Sequence, residues 1–286
     1  MFGTLTTMLI DGKQIAYTLR TQLAERVKGH THKPTLGIIV VRETPQIRTF
    51  VTLKQRFGAD IGVPVDVVRM PNMAEGNEEL LRLVLRTTRD FDGLIVQLPL
   101  PSNYDLDQVI QLYPLSHDVD VIGSMAYTQF EEDILPFKPP VVAAFAEILK
   151  QQHMSLAGKR VLIVGKGRLV GAPAAIWATR LGAYVQVADS STPNLVDFSR
   201  EADLIILGAG SPHMLKPDMV SEGVVVFDAG TSEQEGVLVG DADPAVADKA
   251  ALFTPTPGGI GPITVAKVFE NLLTLYELKN PKVQNF

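Results

Sequence analysis

Cysteine is absent from the 286 residues, which excludes a disulfide framework and any metal site built on thiolates. A basic excess is also missing, because 26 Lys and Arg residues face 32 Asp and Glu residues and give a formal net charge of −6. Nucleic-acid binders need a basic face, so this charge argues against that class. We find neither an apolar run of about 18 residues, as a membrane-spanning helix requires, nor the features of a signal peptide. We therefore expect a cytoplasmic protein that binds neither nucleic acid nor membrane.

Histidine is scarce, and its spacing does not suggest a metal site. The chain has 5 histidines and no HExxH or comparable ligand spacing. We therefore expect no metal ion. The histidines are His30, His32, His117, His153 and His213.

The apolar residues form short runs that alternate with helical periodicity, which predicts parallel strands joined by crossover helices. The runs at 35–41 and 93–101 are predicted strands, and the stretch at 46–62 is a predicted helix that ends near Gly62. A second series of strands begins near residue 160, after a predicted helix that marks the domain junction. The fold class is therefore α/β, with two α/β domains around a cleft, the second a Rossmann-like doubly wound parallel sheet.

The stretch "VLIVGKGRLVGAP" from Val161 places glycines directly after a predicted strand and before a predicted helix. In this context Gly165 permits a tight turn, Gly167 lets the backbone approach a pyrophosphate, and the helix beginning near Gly171 offers unpaired N–H groups to the anion. The spacing is one residue longer than the standard fingerprint. The pattern predicts a dinucleotide site, and a turn that needs glycine for shape alone is the alternative.

Asp189 ends the next predicted strand, 24 residues after Gly165. An acidic residue there accepts hydrogen bonds from ribose hydroxyls and repels a 2′-phosphate, which favours NAD over NADP. Lys166 opposes this preference, because its ammonium could pair with a 2′-phosphate. The prediction is therefore NAD or NADP, with a lean toward NAD; a solvated loop carboxylate is the alternative interpretation of Asp189.

Three polar side chains in the first half of the chain are candidates for chemistry. Phe50 and Lys54 share one face of a predicted helix, where partial burial could lower the pKa of the lysine and make it an acid or base. Gln97 lies at the end of a predicted strand, where ligands of α/β sheets collect. Asp120 lies in the loop "DVDV". A solvated lysine and a turn carboxylate are the alternatives for Lys54 and Asp120.

Two long stretches, "DGLIVQLPLP" at 92–101 and "TPTPGGIGPITVA" at 254–266, resemble those of the bifunctional methylenetetrahydrofolate dehydrogenase/methenyltetrahydrofolate cyclohydrolase family. The sequences "VGKGRLVGAP" and "HDVDV" resemble the family's cofactor loop and aspartate loop, and the similarity covers nearly the whole chain. The resemblance implies a folate domain over 1–142 completed by a C-terminal helix over 265–286, a Rossmann-like domain over 143–264, and a homodimer. It also implies tetrahydrofolate one-carbon derivatives as substrates.

The resemblance further implies roles for individual residues. Lys54 falls at the position of the family's catalytic lysine, Gln97 where a glutamine tunes that lysine, and Asp120 where an aspartate binds the pterin ring. The implied substrate-binding set is Phe50, Gln97, Asp120, Pro257, Gly258, Gly259 and Pro262. The implied cofactor-binding set is Gly165, Lys166, Gly167, Arg168, Gly171, Asp189, Ser190 and Thr231.

The chain departs from the family pattern at several positions around the folate side. Phe50 replaces a tyrosine, "DVDV" replaces Asp-Val-Asp-Gly, and "DAGTS" at 228–232 replaces "DxGIN". Hydride transfer depends mainly on geometry, whereas hydrolysis needs a positioned acid or base, so we expect dehydrogenase activity to be better retained than cyclohydrolase activity. The alternatives are a catalytically weak folate- or nucleotide-binding paralogue and a Rossmann dehydrogenase of another small substrate.

Overall fold

Two parallel sheets divide the chain, whose computed structural model describes residues 7–70, 76–234 and 236–281. The three-stranded unit comprises the described residues of Tyr17–Pro140 and Val265–Phe286, and the six-stranded unit comprises those of Met1–Ala16 and Val141–Thr264. The strands are β1 (Met8–Leu9), β2 (Leu36–Val40), β3 (Val65–Arg69), β4 (Gly93–Val96), β5 (Arg160–Val164), β6 (Tyr184–Ala188), β7 (Leu204–Leu207), β8 (Val225–Asp228), β9 (Ser232–Gln234), β10 (Val237–Val239) and β11 (Leu252–Phe253). The helices are α1 (Gly12–Lys28), α2 (Pro45–Ile61), α3 (Gly76–Thr87), α4 (Leu106–Gln111), α5 (Ser124–Glu131), α6 (Pro140–Gln151), α7 (Gly171–Arg180), α8 (Leu195–Glu201) and α9 (Ile260–Lys279).

The three-stranded unit has the strand order β3-β2-β4, with β2 paired in parallel to both neighbours. Every residue of β2 and β4 is buried, as expected for continuous apolar strands of a parallel sheet. The backbone N–H of Gln97 donates to the carbonyl of Ile39 at 2.9 Å, so pairing with β2 extends one residue past β4. This bond fixes the position from which the Gln97 side chain leaves the sheet.

Helix α2 is defined at both ends by its sequence. The Thr44 side chain accepts a hydrogen bond from the N–H of Ile47 at 3.2 Å, and Pro45 occupies the first turn, where its missing N–H is not needed. Gly62 ends the helix in the left-handed conformation, with φ 79°. The predicted end near Gly62 is therefore confirmed, and α2 presents Phe50 and Lys54 one turn apart.

The six-stranded unit has the order β1-β11-β8-β7-β5-β6, and all its paired strands are parallel. From β5 the chain first adds β6 on one side and then β7 on the other, so the winding reverses between β5 and β7. Ligands of doubly wound sheets bind at the carboxyl ends of the strands flanking such a switch point. The predicted Rossmann-like doubly wound sheet is confirmed.

Several elements differ from the sequence prediction. The C-terminal helix, predicted over 265–286, begins at Ile260 and ends at Lys279, and residues 282–286 lie outside the described residues. Pro262, which precedes the predicted start of this helix, therefore lies in its first turn, a position that accepts proline. The described residues of Met1–Ala16 group with the six-stranded unit because β1 pairs with β11, whereas the prediction placed them with the folate domain. The sequence analysis did not identify β1, β3, β11, α5, α8 or the antiparallel hairpin of β9 and β10.

Of the helices that the described residues form, none is both long and apolar enough to cross a bilayer.

Candidate active site

Lys54 and Gln97 form the centre of the polar site in the three-stranded unit. The Lys54 Nζ atom donates to Gln97 Oε1 at 2.9 Å. The other end of the amide is also committed, because Gln97 Nε2 donates to the carbonyl of Leu98 at 3.0 Å. Gln97 is buried, so this second bond orients its oxygen toward the lysine. The structure thus brings together two residues that are 43 positions apart in the sequence.

The charge of Lys54 is balanced by a carboxylate. Burial lowers the pKa of Lys54, and the negative charge of Asp120 opposes that shift. Burial likewise raises the pKa of Asp120, and the ammonium of Lys54 opposes it. A lysine whose pKa is moved toward neutrality exchanges protons more readily than a solvated lysine, so this pair is suited to acid–base work. The structure thus brings together Lys54, Gln97 and Asp120, which the sequence analysis singled out as candidates.

A tight turn positions Asp120. Asp118 accepts hydrogen bonds from the N–H groups of Ile122 at 3.1 Å and Gly123 at 2.7 Å. Within this turn Val121, the residue after Asp120, has φ 58°, a left-handed conformation that is unusual for a β-branched residue. Asp118 is fully buried, and burial raises its pKa to about 7. The sequence analysis missed Asp118, although it lies in the same "HDVDV" motif.

Tyr113 adds an unpaired hydroxyl to this region. Its ring is buried, and among the described residues its Oη atom has no hydrogen-bond partner. Burial raises the pKa of Tyr113 well above its usual value, and the carboxylates of Asp118 and Asp120 add to that rise; the nearby Val96 N–H opposes it, although it does not reach hydrogen-bonding geometry with Oη. Nothing in the sequence distinguishes this tyrosine from a core residue, so no signal could have revealed it.

Phe50 lies half-buried one turn before Lys54 on α2. Its ring can pack against a ligand but has no group that could donate or accept a hydrogen bond. The polar chemistry of this face of α2 therefore depends on Lys54.

The glycines of the loop after β5 differ in what they allow. Gly165 has φ 106°, and a Cβ atom there would come within 2.5 Å of the Gly208 carbonyl oxygen. A Cβ at Gly171 would collide with the carbonyl of Gly165. At Gly167, by contrast, a Cβ would meet none of the described atoms within 4 Å. Two glycines therefore allow close packing, while the third leaves the backbone open to a pyrophosphate, as a dinucleotide site requires.

Lys166 and Asp189 meet across the carboxyl ends of β5 and β6. The Lys166 Nζ atom lies 2.6 Å from Asp189 Oδ2, and Ser191 donates to Asp189 Oδ1 through its N–H at 2.9 Å and its hydroxyl at 2.6 Å. The hydrogen bond from Lys166 is the main reason that the pKa of Asp189 lies well below its usual value. Both groups proposed to select the cofactor therefore belong to one pair.

The remaining predicted residues lie in the six-stranded unit. Arg168 is half-buried in the glycine loop, Ser190 is exposed next to Asp189, and Thr231 is exposed in the loop after β8. Pro257 is exposed and Gly258 has φ 111°. The last two predicted residues are Gly259, which is closely packed, and Pro262, which lies in the first turn of α9. Gly12, which was not predicted, packs against Gly259. A Cβ at Gly259 would lie 2.7 Å from the Pro255 carbonyl oxygen, and one at Gly12 would collide with the Gly259 carbonyl.

Within residues 7–70, 76–234 and 236–281, no group of three or more His, Cys, Asp or Glu residues could hold a metal ion.

Comparisons with known proteins agree with this geometry. The catalytic-domain model of tetrahydrofolate dehydrogenase/cyclohydrolase matches residues 10–120, and the NAD(P)-binding-domain model matches residues 139–280. The bifunctional protein FolD of Exiguobacterium sibiricum is 32% identical over 272 residues, which cover 93% of this chain and 98% of the relative.

Two solved structures are similar over nearly their whole length. The bifunctional FolD methylenetetrahydrofolate dehydrogenase/cyclohydrolase of Campylobacter jejuni has a TM-score of 0.89 and 32% identity, covering 96% of this chain and 99% of that one. The Trypanosoma brucei enzyme, solved with NADP and an inhibitor, has a TM-score of 0.88 and 28% identity, covering 96% and 98%. This chain belongs to the tetrahydrofolate dehydrogenase/cyclohydrolase family.

Proposed function

We propose that this chain is a methylenetetrahydrofolate dehydrogenase/methenyltetrahydrofolate cyclohydrolase of folate one-carbon metabolism that uses a nicotinamide cofactor. The observation that carries the proposal is the buried Lys54, hydrogen-bonded to Gln97 and balanced by Asp120. Such a lysine serves acid–base chemistry, and it occurs in a chain whose glycine loop has the shape of a dinucleotide site.

The residues of the glycine loop and of the β6 end fit a nicotinamide dinucleotide. Gly165, Gly167 and the start of α7 would hold its pyrophosphate, and Asp189 its ribose. The cofactor supplies a hydride acceptor when bound. The three-stranded unit contributes positioning of the folate and an environment suited to a cationic product, because the Asp120 carboxylate offsets the positive charge of Lys54.

Hydrolysis of the methenyl bridge makes a different demand on the chain. Water must add to the bridge and protons must move before the ring opens, so a positioned acid or base is required. Lys54 can exchange the proton, and Gln97 fixes its orientation. Phe50 offers no hydroxyl to assist, and we propose that the dehydrogenase rate exceeds the cyclohydrolase rate.

The test compares both activities in wild type and in Phe50→Tyr. We expect wild type to oxidise methylenetetrahydrofolate faster than it hydrolyses the methenyl form, and Phe50→Tyr to raise hydrolysis with little change in oxidation. A wild-type hydrolysis rate equal to or above the oxidation rate would overturn the proposed order. Folate binding without turnover would support the binding paralogue, and turnover of another small substrate alone would support the second alternative.

We propose NAD as the preferred cofactor. Lys166 is paired with Asp189, so its ammonium is not available to a 2′-phosphate unless that pair breaks. A 2′-phosphate would also face the Asp189 carboxylate, whose low pKa keeps it ionised. Like-charge contact of this kind disfavours the wrong ligand strongly, and we expect a preference for NAD of about tenfold or more in kcat/KM.

The matched variants for this proposal are Asp189→Asn and Asp203→Asn. Both remove one negative charge, but the Asp203 carboxylate accepts from the N–H of Arg160 at the opposite end of β5. Asp189→Asn should raise kcat/KM with NADP relative to NAD, and Asp203→Asn should leave the ratio unchanged. Wild type that prefers NADP, or equal ratios in both variants, would contradict the assignment.

We also propose that the protein is a homodimer, as the family resemblance implies. Sedimentation equilibrium tests this directly, and a monomer mass at micromolar concentration would contradict it.

A further inference from the structure

Asp241 forms a backbone-binding cluster at the carboxyl end of β7. Its Oδ2 atom accepts hydrogen bonds from the N–H groups of Ala209 at 2.7 Å and Gly210 at 3.1 Å. Its Oδ1 atom accepts from the N–H of Ser211 at 2.8 Å. The side chain is fully buried, so three consecutive N–H groups of one loop close on a single carboxylate.

A second buried carboxylate supports the first. Asp228 accepts hydrogen bonds from the N–H groups of Gly230 at 2.9 Å, Asp241 at 3.1 Å and Ala242 at 2.9 Å. A Cβ atom at Gly230 would collide with the Asp241 carboxylate, and one at Gly240 would collide with Asp228. The loops after β7 and β8 are therefore tied to residues 240–242 by close approach at both carboxylates.

This cluster is costly to bury. The carboxylates of Asp228 and Asp241 accept hydrogen bonds from backbone N–H groups, and within the described residues neither carboxylate forms a salt bridge with a side chain. Burial raises the pKa of Asp228 to about 6 and raises the pKa of Asp241 above its usual value. Stability alone does not require such groups, because an apolar replacement of similar volume is often at least as stable.

The loop held by Asp241 lies at the topological switch point. It follows β7, and Gly208 at its start packs against the glycine loop after β5: a Cβ on Gly208 would lie 2.5 Å from Val170 Cγ1. The crevice between the carboxyl ends of β5 and β7 is where a doubly wound sheet binds its ligand. Residues 208–211 therefore form part of the wall of that crevice.

We propose that Asp241 is a positioning residue for the nicotinamide cofactor: it holds the loop at 208–211 in the conformation that borders the cofactor at the switch point. The inference rests on the proposed function, because it assumes that a nicotinamide dinucleotide binds this unit. Asp241 acts through the backbone of Ala209, Gly210 and Ser211 and does not itself touch the cofactor.

The experiment compares Asp241→Asn with Asp243→Asn in the full chain. In Asp241→Asn, an NH₂ group would face backbone N–H donors that in wild type meet a carboxylate oxygen, which opens the loop. The control residue, Asp243, is half-buried, accepts a hydrogen bond from the N–H of Ala245 and pairs with Lys216. We expect Asp241→Asn to raise the KM for the cofactor by about tenfold to 100-fold, as a misplaced loop does. Asp243→Asn should leave it unchanged.

Hydrolysis of methenyltetrahydrofolate supplies the readout that separates positioning from general damage, because no hydride is transferred in that step. In Asp241→Asn the hydrolysis rate should stay within about twofold of wild type. An unchanged cofactor KM, or a parallel loss of both activities, would overturn the inference. Wild type that binds no nicotinamide cofactor would instead refute the proposed function.

Ser232→Ala keeps the inference testable if Asp241→Asn does not fold. The Ser232 hydroxyl donates to the Gly210 carbonyl at 3.2 Å, so its loss disturbs the same loop more mildly. We expect a rise of about threefold in the cofactor KM, which corresponds to one lost neutral hydrogen bond. An unchanged KM in this variant would overturn the inference.

Discussion

Replacing Tyr113 by phenylalanine should make the protein more stable, although it removes a polar group from a core. The Oη atom of Tyr113 is buried without a hydrogen-bond partner in the described part of the chain. An unsatisfied buried hydroxyl costs about 1–3 kcal/mol, and the Tyr113→Phe substitution removes that cost while keeping the ring. We therefore expect the free energy of unfolding of the three-stranded unit to rise by about 1–3 kcal/mol.

Tyr276→Phe is the matched control, because this tyrosine lies in the same unit and its hydroxyl donates to the carbonyl of His32 at 2.8 Å. Losing that paired hydroxyl should lower the free energy of unfolding by about 1 kcal/mol, so the two variants should shift in opposite directions. Urea denaturation followed by far-UV circular dichroism measures both. The single tryptophan, Trp177, lies in the six-stranded unit, and its fluorescence reports whether that unit is unaffected. A destabilised Tyr113→Phe would show that the hydroxyl is satisfied and refute the reasoning.

Three further predictions follow from the same contacts. Burial raises the pKa of Asp118 from 3.8 to about 7, so its contribution to stability is present below pH 4 and is lost as the pH rises through 7. In urea titrations, the free energy of unfolding of wild type relative to Asp118→Asn should fall by up to about 4 kcal/mol between pH 4 and 8. A difference that stays constant with pH would contradict this. Lys54→Met should slow methenyl hydrolysis by about 10²–10⁴-fold in a stopped-flow or spectrophotometric assay, and an unchanged rate would remove Lys54 from the chemistry. Gly171→Ala should lower the free energy of unfolding by about 3 kcal/mol, because the new Cβ would collide with the Gly165 carbonyl. Gly167→Ala, whose Cβ meets open space, should leave stability unchanged and weaken cofactor binding. Equal losses of stability in the two variants would argue against the crowding at Gly171.

Lys54 and Gln97 could be placed from the sequence because they lie on or next to strongly patterned elements, and the family resemblance supplied their expected roles. Lys54 lies on a helix with a clear start and a glycine end, and Gln97 directly follows an apolar strand, so each could be placed before any contact was known. The tertiary partners could not be predicted in this way. The unpaired hydroxyl of Tyr113 and the backbone cluster of Asp241 exist only because distant loops close on them.

The errors in the fold have physical causes of the same kind. Strands β1 and β11 have two residues each, which is too short for any periodicity to appear, and only their mutual pairing defines them. The start of α9 was placed after Pro262, although proline is tolerated in a first helical turn. The pairing of Lys166 with Asp189 likewise depends on the path of the glycine loop, which the sequence does not specify.

The turn around Val121 bears on whether the site is functional or decaying. A β-branched residue in the left-handed region costs roughly 1–2 kcal/mol, which a glycine would avoid. The turn nevertheless keeps this conformation, because the buried Asp118 side chain accepts hydrogen bonds from the N–H groups of Ile122 and Gly123, and two buried hydrogen bonds offset a cost of that size. The result is that Asp120 remains opposite Lys54 despite the substitution. Acid–base chemistry at Lys54 needs this carboxylate in place, so the maintained turn agrees with the proposed enzyme.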